Sequence, residues 1–179
     1  MACISKLASA IAHDCDSGAT GLVSALIINK ADIASFTLGA SGLVTGITLA
    51  AGAKAYKIDT VKRSLVITSA LKVNEGAPNA FTHTATLTSM LSPVTAGYFD
   101  FSSAMSNGSF VILYVPAGTT HASVAGLYYG MSATAFDRSS HDNGSWSTVT
   151  LETPENVIGE DNLNMAAVTY DALYAAAVG

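Results

Sequence analysis

Acidic, histidine and cysteine side chains gather at three places in the chain, and each gathering has the residue types of a different chemistry. The segment Asp137-Arg138-Ser139-Ser140-His141-Asp142 holds serine, histidine and aspartate, the ingredients of nucleophilic acyl transfer. Such a triad needs its side chains to converge in space beside an oxyanion site. Neighbours in one loop seldom converge in that way, and no Gly-x-Ser-x-Gly elbow is present. The adjoining Asn143-Gly144 supplies positive φ, so the segment reads as a hydrophilic turn. His13, Asp14, Cys15 and Asp16 are all metal-ligating types, but consecutive strand residues point to opposite faces and the spacing matches no zinc or calcium loop. Glu152, Glu155, Glu160 and Asp161 would suit paired-carboxylate glycoside hydrolysis. An acidic loop over 154–164 that keeps a surface soluble accounts for them as well. His83 and His121 stand alone and read as solvated or hydrogen-bonded residues rather than bases. The glycines of 39–46 lack the Lys-Ser/Thr of a phosphate loop. Tyr56, Tyr98, Tyr128 and Tyr129 could stack on a sugar, but packing in a core or interface explains them more simply. The chain is therefore expected to hold no catalytic residue, no metal and no cofactor.

The elements around these residues are more legible than any site. From Thr82 to Thr88 every second residue is threonine, and Phe81, His83, Ala85 and Leu87 alternate with them. A two-residue period places the two sets on opposite faces of a strand. The preceding run, 63–74, carries Leu65, Ile67, Leu71 and Val73 on one face, with Ser64, Thr68 and Lys72 on the other. The turn residues 75–79 join the two into a hairpin, each arm expected to exceed ten residues. The hairpin's wet face is polar but almost uncharged. Arg63, Thr68, Lys72, Thr82, Thr84, Thr86 and Thr88 are the residues expected to form a wall or a contact between subunits, against the plainer reading of an ordinary solvent face.

Further strands are expected over 22–28, over 110–115 (apolar on both faces and so central), over 124–136 with Tyr128-Tyr129 in its middle, and over 146–152. A smaller hairpin links 36–38 to 43–49, with Leu43, Thr45, Ile47 and Leu49 on one side and Gly46 marking a bulge or a close approach. Helices are expected over 98–106 and 169–177, and 4–11 is compatible with a helix, a strand or an arm. The fold class is all-β, a β-sandwich or partial barrel with a long hairpin and one or two short helices, in a single domain over 1–179.

Composition narrows the role. Half of the 179 residues are hydrophobic, but only 12 % are charged, against roughly 25 % in an ordinary soluble domain. Mean hydropathy is +0.40, yet no run approaches the roughly 20 apolar residues of a membrane helix. Small uncharged surface in such excess is expected where surface becomes interface, so the chain is expected to form a homo-oligomer. The net charge is −5, and eight basic residues are spread along the chain. Tight nucleic-acid binding, which needs clustered cations, is not expected. The start of the chain lacks the regions of a secretory signal. It reads as cytoplasmic synthesis with Cys3 and Cys15 as free thiols, or as one disulfide if the protein is extracellular.

Several blocks together resemble small virion proteins of tailed bacteriophages that infect Bacteroidetes, including the crAss-like group. These are Met1-Ala-Cys-Ile-Ser-Lys-Leu7, Ala53-Lys-Ala-Tyr-Lys-Ile-Asp-Thr60, Lys72-Val-Asn-Glu-Gly-Ala-Pro-Asn-Ala-Phe-Thr-His83, Asp137-Arg-Ser-Ser-His-Asp142 and Thr153-Pro-Glu-Asn-Val-Ile-Gly-Glu-Asp161. The resemblance implies a tail-tube-like fold and a subunit of a tail tube or a neck or tail ring. Such a subunit is made in the host cytoplasm and located in the virion. Its partners would be its own copies and other tail or neck proteins, with DNA passing through without specific binding. Six copies at −5 would carry about −30, enough to keep a duplex from adhering. The alternatives are a capsid decoration or head-fibre protein, or a secreted carbohydrate-binding module.

Overall fold

The computed structural model describes residues 21–58, 65–89, 98–138 and 147–178. They form an all-β protein with two short helices. The strands are β1 (Leu22–Asn29), β2 (Ile33–Leu38), β3 (Val44–Leu49), β4 (Tyr56–Ile58), β5 (Leu65–Lys72), β6 (Ala80–Ser89), β7 (Ser109–Pro116), β8 (Ala122–Ala125), β9 (Met131–Arg138), β10 (Ser147–Glu152) and β11 (Leu163–Met165). The helices are α1 (Tyr98–Asn107) and α2 (Ala167–Ala176). All eleven strands belong to one open, mixed sheet, which does not close into a barrel. Its path runs β2-β3-β11-β8-β7-β9-β10-β6-β5, and β1 pairs with β7 and β4 to the side. Among the described strands every strand-to-strand pairing is antiparallel except the short parallel contact of β11 with β3, and an isolated parallel bridge joins Tyr56 to Val178.

β7 and β1 make the centre. Their registers match Asn29 to Phe110 at one end and Leu22 to Pro116 at the other. Both strands are apolar on both faces, so each supplies two cores. Leu26, Ile28, Val111 and Leu113 enter a cluster with Val44, Ile47, Val124, Leu127, Leu163, Met165 and Tyr170. Ala25, Ile27, Phe110 and Ile112 enter a second with Leu65, Ala85, Leu87, Met131, Val149 and Leu151. α2 packs Tyr170 and Leu173 on the first cluster, and α1 packs Met105 and Phe101 on the second. Each fully buried aliphatic side chain contributes about 1.5–3 kcal/mol over its exposed state.

Five expectations need correction. The arms of the large hairpin, β5 and β6, have eight and ten residues rather than more than ten each. The strand expected over 124–136 is two strands, β8 and β9, interrupted at 126–130. The expected acidic loop 154–164 instead holds a bridge from Glu160 to Phe81, and its end runs into β11. In β3 the buried residues are Val44 and Ile47. A bulge opposite Thr37 and Leu38, beside Gly46, breaks the simple alternation there. The C-terminal helix begins two residues earlier than expected, at Ala167.

Candidate functional site

Two regions gather the polar residues singled out in the sequence. The first is the sheet face on which the threonines lie. β6 pairs with β5 on one side and β10 on the other, and directly opposed residues share a face. Thr68, Thr84 and Glu152 therefore form one row across three strands, and Val66, Thr86 and Thr150 the next. Thr88 and Thr148 continue it, and β9 adds Ser132, Ala135 and Asp137 opposite β10. Thr82 lies opposite Ala70 and Lys72 opposite Ala80. On the other face His83, Ala85 and Leu87 are buried, so the two-faced reading of this strand holds. The threonines of β6 are each half-buried, shielded by their own neighbours.

The charges on the threonine face are few. Among the described residues it carries Glu152, Asp137 and Lys72. The Lys72 ammonium is spent inside the chain, donating to the carbonyls of Glu155 (2.7 Å) and Val157. Arg63 lies outside the described residues. So do His13, Cys15, Cys3, Ser139, His141 and Asp142, and with them the loop and the N-terminal cluster considered for catalysis and metal binding. Among the described residues no three His, Cys, Asp or Glu side chains gather to hold a metal, and no helix is long and apolar enough to cross a membrane.

The second region is the break between β8 and β9, where the sheet forks. Both strands run along the same edge of β7: β8 opposite 112–114 and β9 opposite Ser109 and Phe110. Between them residues 126–130 leave the sheet in a single turn closed by Gly130 N–H donating to the Gly126 carbonyl at 2.9 Å. β8 then belongs with β11 and β3, and β9 with β10 and β6. The turn needs glycine at both ends. Gly126 and Gly130 have φ of 76° and 75°, the left-handed region that costs other residues about 1–2 kcal/mol. A side chain at Gly130 would also strike the Ser109 hydroxyl, and one at Gly126 would meet Met131 Cγ at 2.8 Å.

Three titratable side chains hold this turn from outside it. Glu160, only 1 % exposed, accepts the N–H of Tyr128 at 2.9 Å and of Tyr129 at 2.7 Å. Lys30 donates to the Leu127 carbonyl at 2.7 Å. His83 accepts the Gly126 N–H on Nδ1 at 3.1 Å. A negative group thus sits on the free N–H groups and a positive one on a free carbonyl, which suits the dipole of a single helical turn. Glu160 is itself fixed by paired backbone bonds with Phe81, both 2.8 Å. The His83 backbone is tied to Thr153, whose N–H donates to the His83 carbonyl at 3.0 Å.

The electrostatics follow from burial. Burial pushes the Glu160 carboxyl above its usual range, and Asp161 adds to this, while the two N–H donors and Lys30 pull the other way. Burial lowers the Lys30 ammonium, partly offset by Glu160. Burial also lowers His83. Its Nδ1 must be unprotonated to accept from Gly126, so the proton sits on Nε2, which is buried with no hydrogen-bond partner. The Tyr128 hydroxyl donates to Asp161 at 3.2 Å. Burial, then Asp161 and Glu160, push it up to about 12.

This arrangement positions backbone rather than reacting groups. Glu160 and Asp161, considered above as paired acids, are both engaged, and Glu160 is out of reach of a substrate in solvent. His83 proves hydrogen-bonded and buried, as one of its two readings had it, whereas His121 is exposed. Tyr128 packs edge-on against Phe36 with ring centroids 5.7 Å apart, and Tyr129 is 41 % exposed. The sequence reading missed the joint role of Lys30 and Glu160. The signal that could have found the turn is the pair of glycines four residues apart inside an otherwise strand-like run. Comparison with family models, with curated proteins and with solved structures gave no match.

Proposed function

We propose that this chain is a structural protein of a tailed-bacteriophage virion, an oligomeric subunit of the tail tube or of a neck or tail ring that forms part of the DNA conduit. The observation that carries the reading is the threonine face. It spreads hydroxyls over several paired strands, and Lys72, its cation among the described residues, is already bound within the chain. A duplex passing such a wall meets hydrogen-bonding groups of no fixed charge and a slight negative field from Glu152 and Asp137. It has little to release counterions against and so does not stick. The resemblance of the sequence blocks supplies the virion setting. The scarcity of charge over the whole chain supports self-association.

Light scattering coupled to size exclusion, with negative-stain images of the same fractions, tests this directly. Annular or tubular particles at multiples of 18.2 kDa are expected. A monomer that stays single at the highest attainable concentration overturns the reading. So does a trimer that coats capsids and never stacks, which would mark a decoration protein instead.

A further inference from the structure

The sheet path has two ends, and they differ in how well they are closed against addition of another strand. β2, at one end, has two register shifts against β3, between Ile33 and Ser35 and between Thr37 and Leu38. Bulges of this kind twist an edge away from flat pairing. β5, at the other end, keeps eight consecutive pairs with β6 without a shift. It contains no proline, and its one charged residue, Lys72, is at its last position and turned to the carbonyls of Glu155 and Val157. Val66, Thr68, Ser69, Ala70 and Leu71 are all exposed. Among the described residues β5 therefore shows no bulge, proline or solvent-facing charge of the kinds that stop an edge strand from pairing further.

A separate observation falls on the same strand. The apolar face of β5 begins in the core at Leu65 and then runs past it. Leu71 is 62 % exposed and Val73, just beyond the strand, 72 %. An open edge and an uncovered aliphatic strip thus coincide, which asks for a partner that supplies both a strand and an apolar face.

We propose that β5 pairs antiparallel with β5 of a second copy across a two-fold axis at Thr68; this rests on the self-assembly reading above. A strand paired with itself in this way sets Thr68 opposite Thr68, Val66 opposite Ala70 and Leu65 opposite Leu71. Directly opposed residues then share a face, so Leu71 of each copy lies against Leu65 of the other, and the threonine face continues into the second copy. The β2 edge, broken by two register shifts, is less suited to such pairing. Such a contact is used up after one pairing, so a ring built on it joins its dimers through a different surface.

Two variants of the full chain test the proposal. In a background with Cys3→Ser and Cys15→Ser, Thr68→Cys is expected to give a disulfide-linked dimer under mild oxidation. Thr45→Cys, equally exposed on β3, should not. Val66→Lys with Ala70→Lys, both on exposed positions, is expected to at least halve the native mass while circular dichroism stays unchanged. Assemblies of unchanged mass in the lysine variant overturn the β5 contact and leave the self-assembly reading standing. Crosslinking of Thr68→Cys only when Ser35→Cys is also present overturns it in favour of head-to-tail pairing with β2. A wild-type chain that never associates overturns both.

Discussion

The threonine face and the forked turn use polar residues in opposite ways. On β5, β6 and β10 the polar groups are many, alike and half-exposed, and each has neighbours of its own kind. At the fork they are few and unlike: a buried carboxylate, a buried imidazole and a half-buried ammonium, each on different backbone atoms of the same turn. Redundancy makes the first region tolerant, since a lost hydroxyl leaves exposed groups that water can serve. Uniqueness makes the second intolerant, since a buried N–H without its acceptor bears its full desolvation cost. Function is therefore expected to reside where substitution is cheap, and stability where it is dear.

That contrast can be broken at the fork first. Glu160→Ala removes the acceptor of the Tyr128 and Tyr129 N–H groups. A loss of about 3–5 kcal/mol is expected from two N–H groups left without a partner, read from urea or guanidinium midpoints. A loss below about 1 kcal/mol would show that the turn stands without the carboxylate. Next is Gly130→Ala, which forces a side chain into the left-handed region and against Ser109. About 2–3 kcal/mol is expected from the same measurement. A neutral result would mean that 126–130 relaxes freely.

The pH dependence sharpens the comparison, because the two buried groups act with opposite sign. His83 has its folded pKa below its ordinary value of 6.5. Its contribution is full above about 6.5 and is lost as pH falls from there through the folded pKa. Glu160 is raised above its ordinary value of 4.5. Its contribution is full below about 4.5 and is lost as pH rises from there through the folded pKa. Between pH 7 and 4.5 the His83→Gln variant should lose less stability than wild type, and Glu160→Gln should lose more. Identical slopes in all three proteins would remove both groups from the balance. Smallest of all should be Thr84→Val and Thr86→Val, each within about 0.5 kcal/mol of wild type. A large cost there would show that the threonine hydroxyls are as individually placed as Glu160.

The same contrast explains what could be read from the chain alone. The alternation of Thr82, Thr84, Thr86 and Thr88 with His83, Ala85 and Leu87 is a local pattern, and a two-residue period converts it straight into a two-faced strand. The all-apolar 110–113 placed β7 at the centre for a similar reason. The fork is not local. Lys30, His83, Glu160 and the turn come from four separate stretches, and no spacing announces that they meet. The turn itself was hidden because Leu127, Tyr128 and Tyr129 have high strand propensity. Gly126 and Gly130 override it through backbone geometry. Glu160 looked like one more solvent-facing acid because burial of a carboxylate depends on distant N–H groups. The bulge in β3 was half-visible at Gly46, but which residues it would turn inward was not.

β1 and β7 send alternate residues into both hydrophobic clusters. Removing either cluster strips one side from two strands that also form the other, so neither half can melt while the other stays native. The protein is therefore expected to lose its structure in one cooperative transition, with amides of β1 and β7 exchanging only through global opening. Force applied at the β5 end is therefore expected to be resisted by the whole molecule rather than by the hairpin alone.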